Sequence, residues 1–470
     1  MNPKQTRRNF VKTSSLALGG LLANPTLARI IEQKGKLRVA LVGTGVRGIG
    51  FWGKRLMDNY PELIEFVGLS DLNPGRLQLA KDYIGVECPV YTDFDQMMSE
   101  QEIDLLMVTT VDATHHEFVI KGLNQNISVL TEKPMTTDET KCQAILDAER
   151  KSDKDLIVGF NYRYNPHYTK LKELIVNKRV GDITSVDFHW YLNVYHGASY
   201  FRRWHGYKDK GGSLWVHKST HHFDLLNWWL DSEPVEVKAY GELEHYGKNN
   251  SFRGSNCRSC EHKDKCNFYW DITKSEHYMK LYVENEKYDG YIRDNCLWRE
   301  DIDIYDKMSA QIKYANGVMV NYSLTTYSPY EGMRIAFNGY NGRLDAWDGI
   351  PWRKDEKQLQ KDLHAQEMNQ GEEATDFEEI IVSDNFGEYE QLRVVRERGG
   401  HGGGDKRLQN RIFVDPNAPD PLKHAAGSRD GAMSCLIGIA ARKSIEENRA
   451  VRIEELTNLK PMAVRPSAAG

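Results

Sequence analysis

Long apolar runs are missing from most of this 470-residue sequence: beyond the first thirty residues, no segment is long and apolar enough to cross a membrane as a helix. Net positive charge is missing as well. A formal charge of −5 at pH 7 gives no reason to propose nucleic acid as a partner. No internal repeat is found, and cysteine is scarce, with seven residues of which four gather between positions 257 and 296. What remains, 40% hydrophobic and 27% charged, has the composition of an ordinary globular chain.

The first thirty residues form a separate unit. Thr6-Arg7-Arg8-Asn9-Phe10-Val11-Lys12 precedes the apolar run Leu16–Ala23, the order of a basic region and a short hydrophobic region in a targeting peptide. The paired arginines with a Phe two positions on resemble the twin-arginine export signal. The expectation is a chain exported to the periplasm by the twin-arginine machinery, with cleavage after Ala23 or Ala28; a disordered basic tail is the alternative. No Cys follows the apolar run, so a lipid anchor is not suggested. Roughly 440 residues remain, enough for two or three domains.

The apolar run Leu37–Val42 leads directly into Gly43-Thr44-Gly45-Val46-Arg47-Gly48. This is G-x-G-x-x-G after a strand pattern: the first Gly permits the tight turn, the second lets the backbone approach a pyrophosphate, and the third allows close helix packing. A second run, 64–70, ends in Asp71, placed to accept hydrogen bonds from an adenosine ribose. Asp71 favours NAD, while Arg76 nearby leaves NADP open; capping of a helix beginning near Asn73-Pro74 is the alternative role for Asp71. Strand patterns at 104–110 and 128–131 enclose helical spacing at 115–124. The fold class is therefore α/β: an N-terminal doubly wound Rossmann domain over 36–160. Ligands should lie outside the carboxyl ends of the strands, where Thr110 and Glu132 also fall.

Alternating runs at 184–194, 234–241, 310–314, 318–326, 333–338 and 343–347 predict a second, α+β domain over 161–460 with a largely antiparallel open sheet. Two polar insertions, near 245–300 and 350–425, interrupt it. A helix over 432–447 packs back on the body.

Glu132-Lys133-Pro134 sets a Lys at the carboxyl edge of the parallel sheet, and Gly211–Asp224 contains His217, Lys218, His221, His222 and Asp224. With the glycine turn, these features resemble the Gfo/Idh/MocA oxidoreductases, which include glucose-fructose oxidoreductase and inositol dehydrogenases. The resemblance is strong over the Rossmann half and patchy beyond it. It implies that Lys133 binds substrate and tunes the acid–base group, and that His221 exchanges the proton of the reacting hydroxyl. It also brings Tyr162 and Asn165 toward the nicotinamide. Physically, hydride transfer leaves an alcohol that must lose a proton, imidazole titrates near neutrality, and a cationic Lys would stabilise an alkoxide. His222 reads as a core residue, and Asp224 as either an orienting or a structural carboxylate. One departure stands out: many relatives place an acidic residue four positions before the catalytic His, where this chain has His217, followed by Lys218.

Aromatic residues surround this element. Trp204 and His205 read as ligand contacts in a loop, and Trp228 and Trp229 as packing. Cys257, Cys260, Cys266 and Cys296 suggest either a structural zinc site or two disulfides, whereas Cys88, Cys142 and Cys435 read as buried apolar residues. In the second insertion, His401 lies among Gly399, Gly400 and Gly402–Gly404, with Asp405 after it. A similar His-Gly-Gly element occurs in NAD-dependent N-acetylgalactosaminidases of the same superfamily; a plain mobile loop is the alternative.

Two functions follow from these readings. One is an oxidoreductase moving hydride between a tightly bound NAD, or NADP, and a hydroxyl of a sugar, glycoside or polyol. The other is an NAD-dependent glycoside hydrolase that oxidises C3 transiently, eliminates the aglycone, adds water and returns the hydride. Lys133 favours the first and the His401 loop the second. A homo-oligomer is compatible with either.

Overall fold

The structure, a computed structural model, describes residues 35–349, 377–397 and 399–467. The expected export segment and residues 350–376 of the second insertion lie outside the described residues.

Six strands, β1 (Leu37–Val42), β2 (Ile64–Ser70), β3 (Val90–Tyr91), β4 (Leu105–Val108), β5 (Ser128–Thr131) and β6 (Leu156–Val158), form a parallel sheet in the order β3-β2-β1-β4-β5-β6. Leu105–Val108 and Ser128–Thr131 are buried at every position, as expected of strands covered on both faces by helices. Strand order reverses between β1 and β4, so the loops after Val42 and Val108 diverge there and open a crevice. Local chemistry sets the helix ends. In Pro74–Ile84, Asn73 accepts a hydrogen bond from the Arg76 N–H, Pro74 opens the first turn, and Gly85 at φ +81° ends the last.

The second sheet has nine strands: β7 (Ile183–Asn193), β8 (Pro234–Glu242), β9 (Lys307–Tyr314), β10 (Met319–Ser328), β11 (Gly332–Gly339), β12 (Gly342–Asp348), β13 (Phe377–Asp384), β14 (Tyr389–Val395) and β15 (Val451–Arg452). Their order is β14-β13-β12-β11-β7-β10-β9-β8-β15, antiparallel throughout except for the β7–β10 pair. Strands β13 and β14, together with the helix Gly404–Phe413, lie where the sequence reads as a polar insertion.

The helices Ser219–Leu230 and Ser428–Glu447 pack together over this sheet. Every residue of Ser219–Leu230 is buried, including Trp228 and Trp229, so this helix is core on all sides and its polar groups need internal partners. A Cβ on Gly438 would stand 2.3 Å from the Trp215 carbonyl, so only glycine lets the long helix come this close. Charge is handled in the same way. Arg163, fully buried, donates from Nε and Nη2 to Asp224 at 2.8 and 2.5 Å and from Nη2 to Asp430 at 3.0 Å; Arg465 also donates to Asp430.

Candidate active site

Neighbouring parallel strands deliver their carboxyl-end loops to one place. β4 and β5 pair directly, so the turn Asp112–Thr114 after β4 and Glu132-Lys133-Pro134 after β5 lie side by side, the Lys133–Pro134 bond being cis. From the second domain, the short helix Leu214–His217 and the first turn of Ser219–Leu230 face them. Lys133 Nζ donates to the His217 carbonyl at 3.1 Å, and His217 Nδ1 lies 2.5 Å from Asp112 Oδ2. Asp112 thus brings a carboxyl to the position where the sequence suggested a missing acid, from an element 105 residues away.

Burial decides the protonation of this cluster. It pushes Lys133 down to about 8, against the pull of Asp112 and Glu132, and it raises the Asp112 carboxyl well above the usual range, against Lys133. His217 and His221 fall well below the ordinary imidazole range through burial first and the Lys133 charge second. His217 therefore adds a neutral imidazole rather than the positive charge its sequence position suggested. His221 is also neutral. Its ring stacks on Tyr162 at 4.1 Å between centroids, and its Nδ1 has no hydrogen-bond partner. Lys218 Nζ donates to the Tyr162 hydroxyl at 3.1 Å and lies 4.9 Å from the Trp190 ring centre, a cation held against aromatic faces.

Other expected residues are distributed around this centre. His205 is buried, stacks on Trp204 at 3.5 Å and stands edge-on to His217 at 4.1 Å. Asn165 caps the helix Pro166–Val176 by accepting from the His167 N–H, and its Nδ2 donates to the His401 carbonyl. Positive φ at Gly399, His401, Gly402 and Gly403 folds the loop so that His401 Nδ1 lies 3.0 Å from Asp405 Oδ1 and 2.9 Å from Asn161 Nδ2. The His401 ring is 5.3 Å from Tyr162 and 6.3 Å from His221, so this loop does reach the cleft. Asp224 is not in it: its carboxylate is committed to Arg163 in the core. His222 is core too, its Nδ1 lying 2.7 Å from the Tyr322 hydroxyl.

The glycine turn fits a dinucleotide. Gly43 sits at φ +94°, and a Cβ there would lie 2.6 Å from the Thr109 carbonyl carbon; a Cβ on Gly48 would lie 2.2 Å from the Gly43 oxygen. Both positions demand glycine, while Gly45 faces open space with only the Tyr282 hydroxyl within 4 Å. The Val46 N–H donates to that hydroxyl at 3.2 Å, so a loop amide already points at an oxygen. Arg47 Nε donates to Glu132 Oε1 at 2.6 Å, and Trp52 Nε1 donates to the same oxygen. Burial opposes the charge on Glu132, but Arg47 outweighs it and holds the carboxyl below its usual range. Thr110 Oγ1 accepts from Thr114 Oγ1. Asp71 accepts from the Thr44 N–H and hydroxyl on one oxygen and from the Asn73 N–H and Arg76 on the other; Arg76 also pairs with Asp289, from the first insertion, at 2.5 Å.

The four clustered cysteines correct both readings made for them. All are free thiols, and no group of three or more metal donors exists among the described residues. All four line one small cavity, in which Cys257 Sγ accepts from the Arg202 guanidinium at 2.9 Å and Cys296 Sγ accepts the amides of Gly254 and Trp298. A guanidinium against a thiol is a poor neighbour for a metal cation. A separate cavity of about 480 Å³, lined in part by Glu149, Tyr164 and Arg429, includes none of Lys133, His217 and His221.

Two carboxyl groups around this centre carry no sequence motif: Asp112, and Glu331, whose Oε1 lies 3.1 Å from His196 Nδ1. The approach of the loop after β4 to the helix Leu214–His217 is the sole signal for Asp112.

Comparisons with known proteins agree with this geometry. Residues 37–160 match the model described as the oxidoreductase family, NAD-binding Rossmann fold, of Gfo/Idh/MocA, and residues 172–453 match that family's C-terminal alpha/beta domain. The chain is 34% identical over 438 residues to YteT of Bacillus subtilis, named an oxidoreductase, covering 89% of this chain and 98% of that one. It is 27% identical over 200 residues to inositol 2-dehydrogenase of Salmonella typhimurium, covering 42% of this chain and 56% of that enzyme. Among solved structures, levoglucosan dehydrogenase with NADH and levoglucosan superposes with a TM-score of 0.61 at 16% identity, over 89% of this chain and 99% of that one. Aldose-aldose oxidoreductase of Caulobacter crescentus superposes with a TM-score of 0.57 at 15% identity, over the same shares; both likenesses are of fold.

Proposed function

The chain belongs to the Gfo/Idh/MocA oxidoreductase family, and from that premise we propose that it moves hydride between a tightly held nicotinamide cofactor and a hydroxyl of a sugar, glycoside or polyol. One observation carries the reading: Lys133, the Asp112–His217 pair and neutral His221, with its unpartnered Nδ1, meet where β4 and β5 end. A bound dinucleotide would accept the hydride of the carbinol carbon. Gly43–Gly48, Thr110 and Asp71 would hold it, with Asp71 favouring NAD over NADP. His221 takes the hydroxyl proton at a ring nitrogen, for which it must start neutral. The Lys133 ammonium, fixed by the His217 carbonyl, stabilises the oxygen as it loses that proton. The inositol, levoglucosan and aldose named for the relatives support a polyhydroxylated substrate class.

His401, within 6.3 Å of His221, favours a second reading in which hydride is returned after elimination, making the net reaction hydrolysis of a glycoside. Export by the twin-arginine route is part of the proposal and suits either reading, because that route carries folded proteins with their cofactor aboard. The test is to purify the mature protein without added cofactor and titrate it with polyols, aldoses and aryl glycosides. Absorbance near 340 nm is followed together with aglycone release. Stoichiometric reduction without aglycone release is expected. Repeated aglycone release without net reduction would establish the hydrolase, and neither signal would remove both.

A further inference from the structure

Several buried or half-buried guanidinium groups sit on carboxylates. Arg163 has Asp224 and Asp430, Arg47 has Glu132, Arg76 has Asp71 and Asp289, and Arg258 has Asp294 and Glu286. Arg202, away from the catalytic cluster, instead meets the Cys257 thiol and the Phe268 carbonyl, and two arginines beside the cleft also lack a carboxylate. Among the described residues no carboxylate forms an ion pair with Arg203 or Arg293. Arg203 donates from Nε to the Ser199 carbonyl at 2.8 Å, which holds its guanidinium 5.0 Å from the centre of the Tyr200 ring. Tyr200 in turn lies 5.4 Å from both His205 and His217, so Arg203 stands on the substrate side of the cluster. Arg293, 9% exposed, lies over the Tyr278 and Tyr282 rings at 5.4 and 4.9 Å, and its Nε has no partner.

The two cations differ: burial and then the Arg293 charge lower the affinity of Arg203 for its proton, whereas Arg293, despite burial, is held charged by the Tyr282, Tyr291 and Tyr278 side chains around it. Lys133 and Lys218 add further positive charge. Against them stand Glu132, shared with Arg47, Asp112, bound to His217, and Glu331, bound to His196. Desolvated like charges without counter-ions are costly unless something anionic joins them.

We propose that the substrate of the oxidoreductase carries a carboxylate, as a uronate or other acidic sugar does, and that Arg203, with Arg293 behind it, receives that group beside Lys133 and His221. The proposal rests on the dehydrogenase reading for its chemistry but not for its binding step. A planar guanidinium suits a carboxylate held in two hydrogen bonds. The same oxyanion chemistry could be met by the cofactor's pyrophosphate, since Tyr282 links Arg293 to the Val46 amide. The position of Arg203 against Tyr200 and His217 assigns it to the substrate.

The experiment compares D-glucuronate and D-galacturonate with their methyl esters and the neutral parent aldoses on the cofactor-loaded enzyme. It reads kcat/KM, ligand-induced shift in melting temperature, and bound nicotinamide per chain, for wild type, Arg203→Met and Arg203→Lys. Acids are expected to exceed their esters by about 10- to 100-fold, the worth of a charge-assisted hydrogen-bond pair. Arg203→Met should erase that preference with nicotinamide content unchanged, and Arg203→Lys should restore part of it. Esters and aldoses turned over as well as acids would overturn the proposal and leave the dehydrogenase reading standing. A melting shift with uronates only, without reduction of nicotinamide by any sugar, would support carboxylate binding and sink the dehydrogenase reading. Loss of nicotinamide in Arg203→Met would overturn it by assigning the arginine to the cofactor.

Discussion

Two groups of buried charge, one inside the second domain and one where the parallel-sheet loops meet that domain, are built in opposite ways. Around Arg163, every charge meets an opposite one: Asp224 and Asp430 share its guanidinium, and Arg465 completes the set. Around Lys133, several cations share one charged carboxylate, Glu132, which Arg47 also holds, while the imidazoles are held neutral and the carboxyl of Asp112 is raised by its burial. A compensated network fixes geometry, because removing any member strands its partner. An uncompensated one stores the ability to bind an anion or move a proton, which is why perturbed groups concentrate where chemistry occurs.

The sharpest way to break this comparison is to exchange activity for stability. His221→Ala is expected to lower turnover by about 10²- to 10⁴-fold, and Lys133→Met by about 10²- to 10³-fold, with melting temperature little changed. Steady-state kinetics beside thermal melts would check this; a large loss of stability in either would make the cleft structural. Arg163→Met should do the reverse, costing about 3–5 kcal/mol in denaturant unfolding because Asp224 and Asp430 keep buried charge with one partner fewer. Near-wild-type unfolding would show that the network is not what holds the domain.

pH separates the two regions next. With Lys133 at about 8, its ammonium is present below that pH, so kcat/KM should fall as pH rises through about 8. Stability runs the other way for this group. Its value lies below the ordinary 10.5, so the unfolded chain binds more protons between 8 and 10.5; the stability it contributes is full above 10.5 and is lost as pH falls through about 8. Asp112→Asn removes the carboxylate that favours the ammonium and should move the alkaline limb of the rate profile down by about one pH unit. A limb that does not move would mean that the two groups are uncoupled. The smallest effect is expected at Arg203, where removing an uncompensated cation should leave the melting temperature unchanged or slightly raised; a drop of several degrees would mean that a partner holds it.

Much of this was legible in the sequence, and the gaps have physical causes. Gly43, Gly45 and Gly48 and the strands β1, β2, β4 and β5 carry short-range signals and lie where those signals fall, whereas β3 and β6, two and three residues long, are too short to leave a pattern. Strand β14 is an exposed edge whose apolar alternation is confined to Leu392 and Val394; in β13, inward-facing Glu378 interrupts the pattern that Ile380 and Val382 continue. Asp112 reaches His217 only because the loop after β4 faces the helix Leu214–His217 of the second domain, which no local spacing reveals. Asp224 sits three residues after His221 on one helix, and its partner Arg163 comes from a segment 61 residues away. The cysteine spacing suggested a metal or disulfides, but Arg202 and two backbone amides satisfy two of those thiols instead.

The central claim is that Lys133 and His221 act on a substrate hydroxyl beside a cofactor the protein already holds. Single-turnover reduction of bound nicotinamide, followed at 340 nm in wild type, Lys133→Met and His221→Ala prepared with equal cofactor content, tests it most directly. The account predicts a fast stoichiometric rise in wild type and a slowing of at least about 100-fold in each variant at unchanged content. Equal rates in all three would contradict it.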